Sequence, residues 1–225
     1  MGDGAMLRLK RAHVAVFGLG GVGSWAAEAL ARGGVGRLTL VDFDTVSLTN
    51  INRQILALSS TVGRYKAELA AERARDINPE IEARPICARY TAETREDFFA
   101  DYDCMIDAID LVACKLDLIQ TAREKGIPIV SCMGTGNKLD PSLFRISDIS
   151  ETFADPLARV MRRELKKRGV EKQTVLWSPE LPSDTLETDE EPPQGRRSIP
   201  GSVSWVPPAA GMQLAGWAIQ RITNA

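Results

Sequence analysis

The chain has 225 residues, a formal net charge of −2 and 44% hydrophobic residues. This length supports one well-filled core, or one domain with an appendage, rather than two equal domains. The near-zero charge excludes a globally basic nucleic-acid-binding protein, so any such surface has to be a local patch. No apolar run reaches the ~18 residues that a membrane span needs, and no signal peptide precedes the first apolar run, so we expect a cytoplasmic protein.

Short apolar runs alternate with segments of helical periodicity through the first 136 residues. The predicted strands are 13–18, 37–44, 81–88, 103–110 and 127–134. Between them, the predicted helices are 24–34, 62–78 and 114–126, with a short polar helix or loop at 49–56. Pro85 indicates that strand 81–88 occupies an edge or irregular position. Strand–helix–strand units repeated this often predict an α/β fold, a largely parallel sheet with helices on both faces.

The last third of the chain follows a different pattern. Its predicted elements are a strand at 143–150, a basic helix at 155–169, strands at 173–178 and 202–206, and an apolar closing helix at 208–222. A segment rich in proline, acid and glycine predicts a long mobile loop at 178–201. We therefore predict a nucleotide-binding core at 1–148 and a C-terminal extension of the same domain at 149–225, which adds antiparallel strands to the sheet.

A glycine-rich turn follows the first predicted strand. Gly18, Gly20 and Gly23 form GxGxxG between a strand and a helix. Such glycines allow a tight turn, a close approach of backbone N–H groups to a phosphate, and close helix–strand packing. Asp42 ends the next strand, where a carboxylate accepts hydrogen bonds from ribose hydroxyls. The pattern predicts a Rossmann-like adenine-nucleotide site and leaves NAD and ATP open.

The polar residues beyond Asp42 favour ATP over a redox cofactor. The single histidine, His13, begins the first strand, far from the expected nucleotide, and no tyrosine is followed by lysine four positions later. Arg53 and Lys66 supply cations that stabilise a departing pyrophosphate, although an exposed surface position also explains each one alone. Asp110 ends another strand, where it either binds magnesium together with phosphate oxygens or caps the following helix.

The cysteine pattern argues against a structural zinc site. The four cysteines lie far apart and form no CxxC pair: Cys87, Cys104, Cys114 and Cys132. Zinc sites usually use such short paired spacings, so we expect no zinc. Most of these cysteines lie in or beside apolar runs, which is typical of reduced, buried thiols.

Several of these motifs together resemble the adenylating domain of the MoeB, ThiF and ubiquitin-activating-enzyme family. The resemblance lies in VAVFGLGGVGSWAAEALARGGVGRLTLVDFDTVSLTNINRQ, VGRYKAE and IDAIDLVACK, and spans roughly residues 10–148. It implies that a carboxylate attacks the α-phosphate of ATP, giving an acyl-adenylate and pyrophosphate. The implied ATP-binding residues are Gly18, Gly20, Gly21, Gly23, Asp42, Asp44, Asn50, Arg53, Lys66 and Asp110. Among these, the implied catalytic residues are Arg53, Lys66 and Asp110, with Asp110 also binding magnesium.

The remaining features resemble one branch of this family, the tRNA threonylcarbamoyladenosine dehydratases. The zinc cysteine pairs that are usual in MoeB and ThiF are missing, and no cysteine follows Cys132. The tail also resembles that branch at 140–170 and 200–220. The resemblance implies adenylation of a threonylcarbamoyl carboxylate on an adenosine beside the tRNA anticodon, followed by ring closure with net loss of water. It further implies a homodimer and, as possible partners, sulfur-transfer proteins. The family commonly carries an arginine-bearing segment before the first strand, where this chain has Arg8, Lys10 and Arg11.

The basic helix is the candidate tRNA contact. Its candidate residues are Arg159, Arg162, Arg163, Lys166 and Lys167. A positive helix face can follow RNA phosphates without reading sequence, although an ordinary solvated face has the same composition. Arg196 and Arg197 in the predicted loop are secondary candidates. Two other functions stay open: adenylation of the C-terminus of a small sulfur-carrier or ubiquitin-like protein, and a catalytically silent nucleotide-binding scaffold.

Overall fold

A computed structural model describes residues 2–183 and 201–224 of the chain. Residues 184–200 lie outside the described part, and with them most of the loop predicted at 178–201, including Arg196 and Arg197. Within the described ranges, no helix combines the length and the apolarity that crossing a bilayer requires.

The described residues form seven strands and six α-helices. The strands are β1 His13–Phe17, β2 Arg37–Val41, β3 Glu82–Ile86, β4 Cys104–Asp107, β5 Ile129–Cys132, β6 Arg145–Asp148 and β7 Thr174–Trp177. The helices are α1 Asp3–Arg11, α2 Gly23–Arg32, α3 Lys66–Ile77, α4 Val112–Glu124, α5 Pro156–Lys167 and α6 Val206–Thr223.

The strands form one sheet in the order β3-β2-β1-β4-β5-β7-β6. Neighbouring strands in the series β3, β2, β1, β4, β5 and β7 pair in parallel. At one edge of the sheet, β6 pairs antiparallel with β7. This arrangement confirms the predicted Rossmann-like α/β fold, and β3 occupies the other edge, as Pro85 indicated. The strand order reverses between β1 and β4, which is where open α/β sheets bind ligands at the carboxyl ends of their strands.

Both faces of the sheet are buried. Along β1, Val14 and Val16 pack into the core beneath α2, α3 and α6, whereas Ala15 and Phe17 pack into the core beneath α4 and α5. Alternate residues of a strand point to opposite faces, so a strand covered on both sides needs an unbroken apolar run. The covering helices explain why β1 shows no polar alternation in the sequence.

Three sequence expectations differ from the structure. The stretch 202–206 is not a strand: Asn52 donates to the carbonyl of Ser202, and Val206 already begins α6. Prolines in the first turn of α6 need no amide donor there, so they favour a helix start where alternation suggested a strand. The strand predicted at 103–110 ends at Asp107. Helix α1 was not predicted, because its short, polar sequence has only Leu9 buried.

The predicted basic helix has the expected start. The side chain of Asp155 accepts a hydrogen bond from the amide of Ala158, and Pro156 occupies the first helical position. An acidic cap and a proline at this position satisfy or remove amide donors that a helix leaves unpaired. This cap also positions Asp155 at the carboxyl end of the sheet, beside the candidate site.

Candidate nucleotide-binding site

A cavity of about 650 Å³ opens at the carboxyl ends of the strands, beside the β1–β4 switch point. The turn after β1, the polar residues after β2, the turn after β4 and the loop after β5 all contribute to its wall. The sequence-predicted residues on this wall are Gly18, Gly20, Gly21, Asp42, Asp44, Asn50, Arg53, Lys66 and Asp110. The fold therefore brings nine predicted residues from five chain segments to one cavity.

The glycine turn requires glycine at two of its positions. Gly18 has a φ of 85°, and a Cβ there would lie 2.7 Å from the carbonyl oxygen of Ala108 in the turn after β4. A Cβ on Gly23 would lie 1.7 Å from the carbonyl oxygen of Gly18. Both distances are too short for a side chain, so the two glycines allow α2 to begin directly above the strand ends. Gly23 therefore has a packing role and is not on the cavity wall.

Asp42 is buried and holds the glycine turn in place. One carboxylate oxygen accepts the amide of Leu19 at 2.6 Å, and the other accepts the amide of Asp44 at 2.8 Å. Burial raises the pKa of Asp42, and this effect outweighs the nearby Lys66 and the two backbone amides. Each carboxylate oxygen has a second lone-pair direction, so the group can still accept hydrogen bonds from a ribose.

Lys66 is a buried cation on the cavity wall. It begins α3 and is only 5% exposed, and its ammonium lies 3.0 Å from the carboxylate of Asp44. Lysine is rarely buried unless it is paired. This geometry disfavours the interpretation of Lys66 as a residue on an exposed helix face, because the ammonium points into the polar wall.

Arg53 lies beside the glycine turn on the cavity wall. Its guanidinium donates to the carbonyl of Thr49 at 2.8 Å and to the side chain of Asn52 at 2.9 Å. Its stem packs against Gly21, where a Cβ would be 3.3 Å from the Arg53 Cγ. Partial burial lowers the pKa of Arg53. Asn50 is buried and accepts the amide of Ser47, which closes the short helix that precedes Arg53.

Asp110 is exposed on the wall, in the turn between β4 and α4. The N-cap position of α4 is Leu111, so Asp110 lies one residue before the helix cap. Among the described residues, no group of three or more potential ligands from His, Cys, Asp and Glu could hold a metal ion alone. A magnesium ion at Asp110 would therefore need phosphate oxygens as further ligands, a common arrangement for this metal.

Several residues around the cavity were not identified from the sequence. Phe43 carries the Arg89 guanidinium 4.1 Å above its ring and contributes a flat surface to the wall. Lys138 is buried and donates to the carbonyl of Glu180 at 2.8 Å, and burial lowers its pKa. Asp155 accepts the amide of Gly134 at 3.0 Å, and burial raises its pKa. A lysine or aspartate outside a motif carries no sequence signal of burial, so these roles depend on the fold.

The candidate tRNA residues on α5 do not form one uniform face. Arg162 turns inward and donates to the carbonyl of Thr152 at 2.7 Å. Arg163 and Lys167 both pair with Glu164, which lowers the pKa of that glutamate to about 2. Arg159 and Lys166 are exposed. The positive charge of α5 is therefore partly neutralised by contacts within the chain.

Comparison with known proteins identifies the family of this chain. The profile of the ThiF family matches residues 1–225. The chain belongs to the ThiF family. This is the family that the sequence motifs had indicated. The cavity wall in this fold includes the glycine turn, Asp42, Arg53 and Lys66.

Two curated relatives and one solved structure make this membership more specific. The chain is similar to the tRNA threonylcarbamoyladenosine dehydratase of Bacillus subtilis, with 45% identity over 226 residues that cover 96% of this chain and 89% of the relative. It is 45% identical to the Escherichia coli protein of the same name over 166 residues, 73% of this chain and 62% of the relative. The structure of the E. coli dehydratase in complex with ATP matches this ThiF-family chain with a TM-score of 0.89 and 35% identity, covering 99% of this chain and 90% of that one.

Proposed function

We propose that this protein is an ATP-dependent tRNA threonylcarbamoyladenosine dehydratase. The observation that carries the proposal is that the glycine turn, Asp42, Arg53 and Lys66 line one cavity. These residues occur in a chain that is 45% identical, over 96% of its length, to a protein of that name. A glycine turn suited to phosphate, a carboxylate suited to ribose and two cations on the same wall together favour cleavage of a triphosphate over hydride transfer.

The chain's own residues account for ATP binding and activation. Backbone amides of the glycine turn would hold the phosphates, and Asp42 would accept the ribose hydroxyls. Arg53 and Lys66 would neutralise the charge that develops on the departing pyrophosphate. Lys66 would exchange its contact with Asp44 for phosphate oxygens, which is a short movement on the same wall.

The first chemical step joins substrate and nucleotide. A carboxylate oxygen of the threonylcarbamoyl group attacks the α-phosphorus, the bond to the bridging oxygen breaks, and pyrophosphate leaves. In the second step, a nucleophile of the same modified group attacks the activated carbonyl carbon, loses its proton and expels AMP. The substrate thus loses the elements of one water overall. The carboxylate oxygen that attacked the α-phosphorus leaves as part of AMP.

No enzyme thiol is required by this sequence of steps. Two cysteines, Cys114 and Cys132, line the cavity. Burial raises the pKa of both thiols, to about 12 at Cys132, so little thiolate forms at neutral pH. A thiolate is the nucleophilic form of cysteine, and neither side chain therefore suits a covalent intermediate.

Asp110 is the residue we assign to magnesium. Asp110 is exposed and lines the cavity, in the turn between β4 and α4. Magnesium commonly binds through one or two carboxylates together with phosphate oxygens. When bound, it would screen the phosphate charges against the incoming carboxylate.

We propose a cytoplasmic homodimer that binds tRNA through exposed cations near the cavity. Arg159 and Lys166 on α5 are the exposed candidates, with weaker contributions from the Glu164-paired residues. Such contacts position the RNA backbone without reading sequence. Sulfur-transfer proteins stay possible partners of the proposed enzyme. A light-scattering measurement of molar mass tests the dimer directly.

The main experiment combines ATP, magnesium and tRNA that carries threonylcarbamoyladenosine, followed by nucleoside mass spectrometry. We expect a nucleoside lighter by one water, about 18 mass units, and stoichiometric AMP and pyrophosphate. Adenylation of a sulfur-carrier protein instead would release pyrophosphate only when a carrier with a free C-terminal carboxylate is added. Nucleotide binding without pyrophosphate release under either condition would indicate a silent scaffold and contradict both enzymatic functions.

A further inference from the structure

An exposed aromatic side chain lies at the carboxyl edge of the sheet, outside the cavity already described. Phe153 is 56% exposed, and its ring lies edge-on to that of Trp177 with 4.9 Å between the centroids. Trp177 is buried and donates its indole N–H to the hydroxyl of Ser147. The ring of Phe153 is therefore supported on one side by a buried tryptophan and open to solvent on the other.

The segment that carries Phe153 is held rigidly. Ala154 has a φ of 60°, in the left-handed region that disfavours residues other than glycine. The amide of Asp155 donates to the carbonyl of Phe153 at 2.7 Å, and Arg162 donates to the carbonyl and the hydroxyl of Thr152. Hydrogen bonds on both sides of Ala154 therefore maintain a strained turn that keeps Phe153 outside and Asp155 inside.

This turn adjoins the nucleotide cavity. Asp155 is on the cavity wall, where its carboxylate accepts the amide of Gly134. Trp177 is the last residue of β7. The carbonyl of the preceding residue, Leu176, accepts a hydrogen bond from the amide of Met133, which also lines the cavity. β7, whose Trp177 supports Phe153, is three strands from β1, and at about 4.8 Å between neighbouring strands the two strands are roughly 14 Å apart across the sheet.

The segments around Phe153 carry two exposed arginines and one exposed acid, Glu151. Arg145 pairs with Trp177 in the antiparallel register of β6 and β7, so both side chains project from the same sheet face. Arg145 is exposed, and Arg159 is exposed one turn into α5. Proteins commonly bind single-stranded RNA with an arginine near an exposed aromatic ring, because the ring stacks on a base while the guanidinium binds a phosphate.

We propose that Phe153 is a stacking platform for an unpaired RNA base next to the base that carries the reacting carboxylate. The inference rests on the proposed tRNA substrate and extends it to a specific contact. With the reacting carboxylate at the cavity, the neighbouring nucleotide of a splayed loop reaches the edge where Phe153 and Arg145 lie. Phe153 contacts substrate without taking part in the chemistry, and Trp177 and Arg162 act through it as positioning residues.

The test compares four variants of the full chain in the tRNA dehydration assay. Phe153→Ala removes the ring, Phe153→Leu retains apolar packing on Trp177 without an aromatic face, and Phe153→Trp retains a stacking surface. We expect KM for tRNA to rise about tenfold or more in the Ala and Leu variants and to stay near the wild-type value in the Trp variant. Leu7→Ala changes a matched exposed apolar residue on α1, which leads into the amino end of β1, and should leave KM unchanged.

Two further measurements separate stacking from a structural effect. ATP affinity and the thermal midpoint should stay unchanged in Phe153→Leu, because the turn and Asp155 are retained. An anticodon stem-loop with 2-aminopurine beside the modified adenosine should lose fluorescence on binding the wild type and less on binding Phe153→Ala. Unchanged KM and unchanged quenching in the Ala variant would overturn the platform.

The proposal and the function on which it rests fail in different ways. If the wild type releases no pyrophosphate with modified tRNA, the proposed function itself is wrong. If the wild type dehydrates tRNA, and Phe153→Ala alters only the molar mass in solution, the exposed ring belongs to a contact between copies of the chain. That result would overturn the platform and retain the enzyme.

Discussion

The ammonium of Lys115 lies 2.7 Å from a carboxylate oxygen of Asp107, and both side chains are completely buried. The other carboxylate oxygen accepts the amide of Ile109 at 3.1 Å. Asp107 therefore ends β4 and fixes the turn that carries Asp110 to the cavity. The pair connects the sheet to α4 directly beneath the predicted magnesium ligand.

Breaking this pair on one side should be costly. We expect Lys115→Met to lose about 3–5 kcal/mol of unfolding free energy, because an unpaired carboxylate stays in the core. Removing both charges, with Lys115→Met and Asp107→Asn together, should cost less than the single change. Denaturant unfolding of the variants measures both values.

A surface pair provides the control for that experiment. Lys10 and Glu80 are 3.0 Å apart with both side chains largely exposed, so Lys10→Met should change stability by less than about 1 kcal/mol. If Lys115→Met were equally mild, the turn after β4 would not depend on the ion pair.

Lys66 should affect catalysis more than folding. Lys66→Met should lower ATP–pyrophosphate exchange about 10²- to 10³-fold, because the charge that stabilises the leaving group is lost. Its partner Asp44 is largely exposed and can be hydrated, so the native fold should persist. Circular dichroism checks the fold, and Lys10→Met should retain normal exchange. Exchange at the wild-type rate in Lys66→Met would exclude a phosphate-binding role.

Two glycines of α6 offer a matched comparison. A Cβ on Gly211 would lie 2.3 Å from the carbonyl oxygen of Val22 at the start of α2, whereas a Cβ on Gly216 would meet nothing within 4 Å. Gly211→Ala should therefore destabilise the protein by about 2 kcal/mol through a forced shift of the helices. Gly216→Ala should stabilise it by roughly 0.5–1 kcal/mol, because alanine is the better helix former.

The Gly211 substitution should also weaken ATP binding. Val22 precedes α2 directly after the glycine turn, so moving α6 away from it shifts the amides that we propose to bind phosphate. A titration with a fluorescent ATP analogue measures this effect. Equal ATP affinities in the two alanine variants would mean that α6 supports stability alone.

Thiol reactivity should follow burial and pH. Burial raises the pKa of Cys104 and Cys132 to about 12, whereas Cys87 is exposed. Native protein at pH 8 should therefore expose one rapidly reacting thiol to a disulfide reagent, and Cys87→Ser should remove it. The pKa of Cys87 is also raised, mainly by partial burial and by Glu68, so its rate should increase as the pH rises from 7 to 9.

ATP should protect one further thiol. Cys114 is half-buried on the cavity wall and donates to the carbonyl of Tyr90 at 3.1 Å. Its slow alkylation should become slower in saturating ATP, while alkylation of Cys87 stays the same. Equal rates at Cys114 with and without ATP would contradict a nucleotide in this cavity. Mass mapping of the labelled peptides distinguishes the two sites.

Most strands and helices could be predicted from short stretches of sequence, because the residue pattern that forms each one lies within the element itself. Buried strands such as β1 require continuous apolar runs, and the glycine turn after it requires residues without a Cβ. The start of α6 was misread, since prolines in a first helical turn and an alternating extended stretch look alike in sequence. Helix α1 was missed because its stability comes mainly from contacts with other segments, such as the bond from Arg8 to the carbonyl of Thr223.

Residue types at set spacings thus determined by themselves the fold class, the glycine turn and the candidate cations Arg53 and Lys66. Only the tertiary structure decided that Lys66 is buried, that Arg162 turns inward, and that Phe153 faces outward beside Asp155. The physical reason is that a tight turn requires glycine because of backbone geometry, and a buried strand requires apolar residues because of its own burial. The orientation of a long or charged side chain depends instead on partners that are distant in sequence.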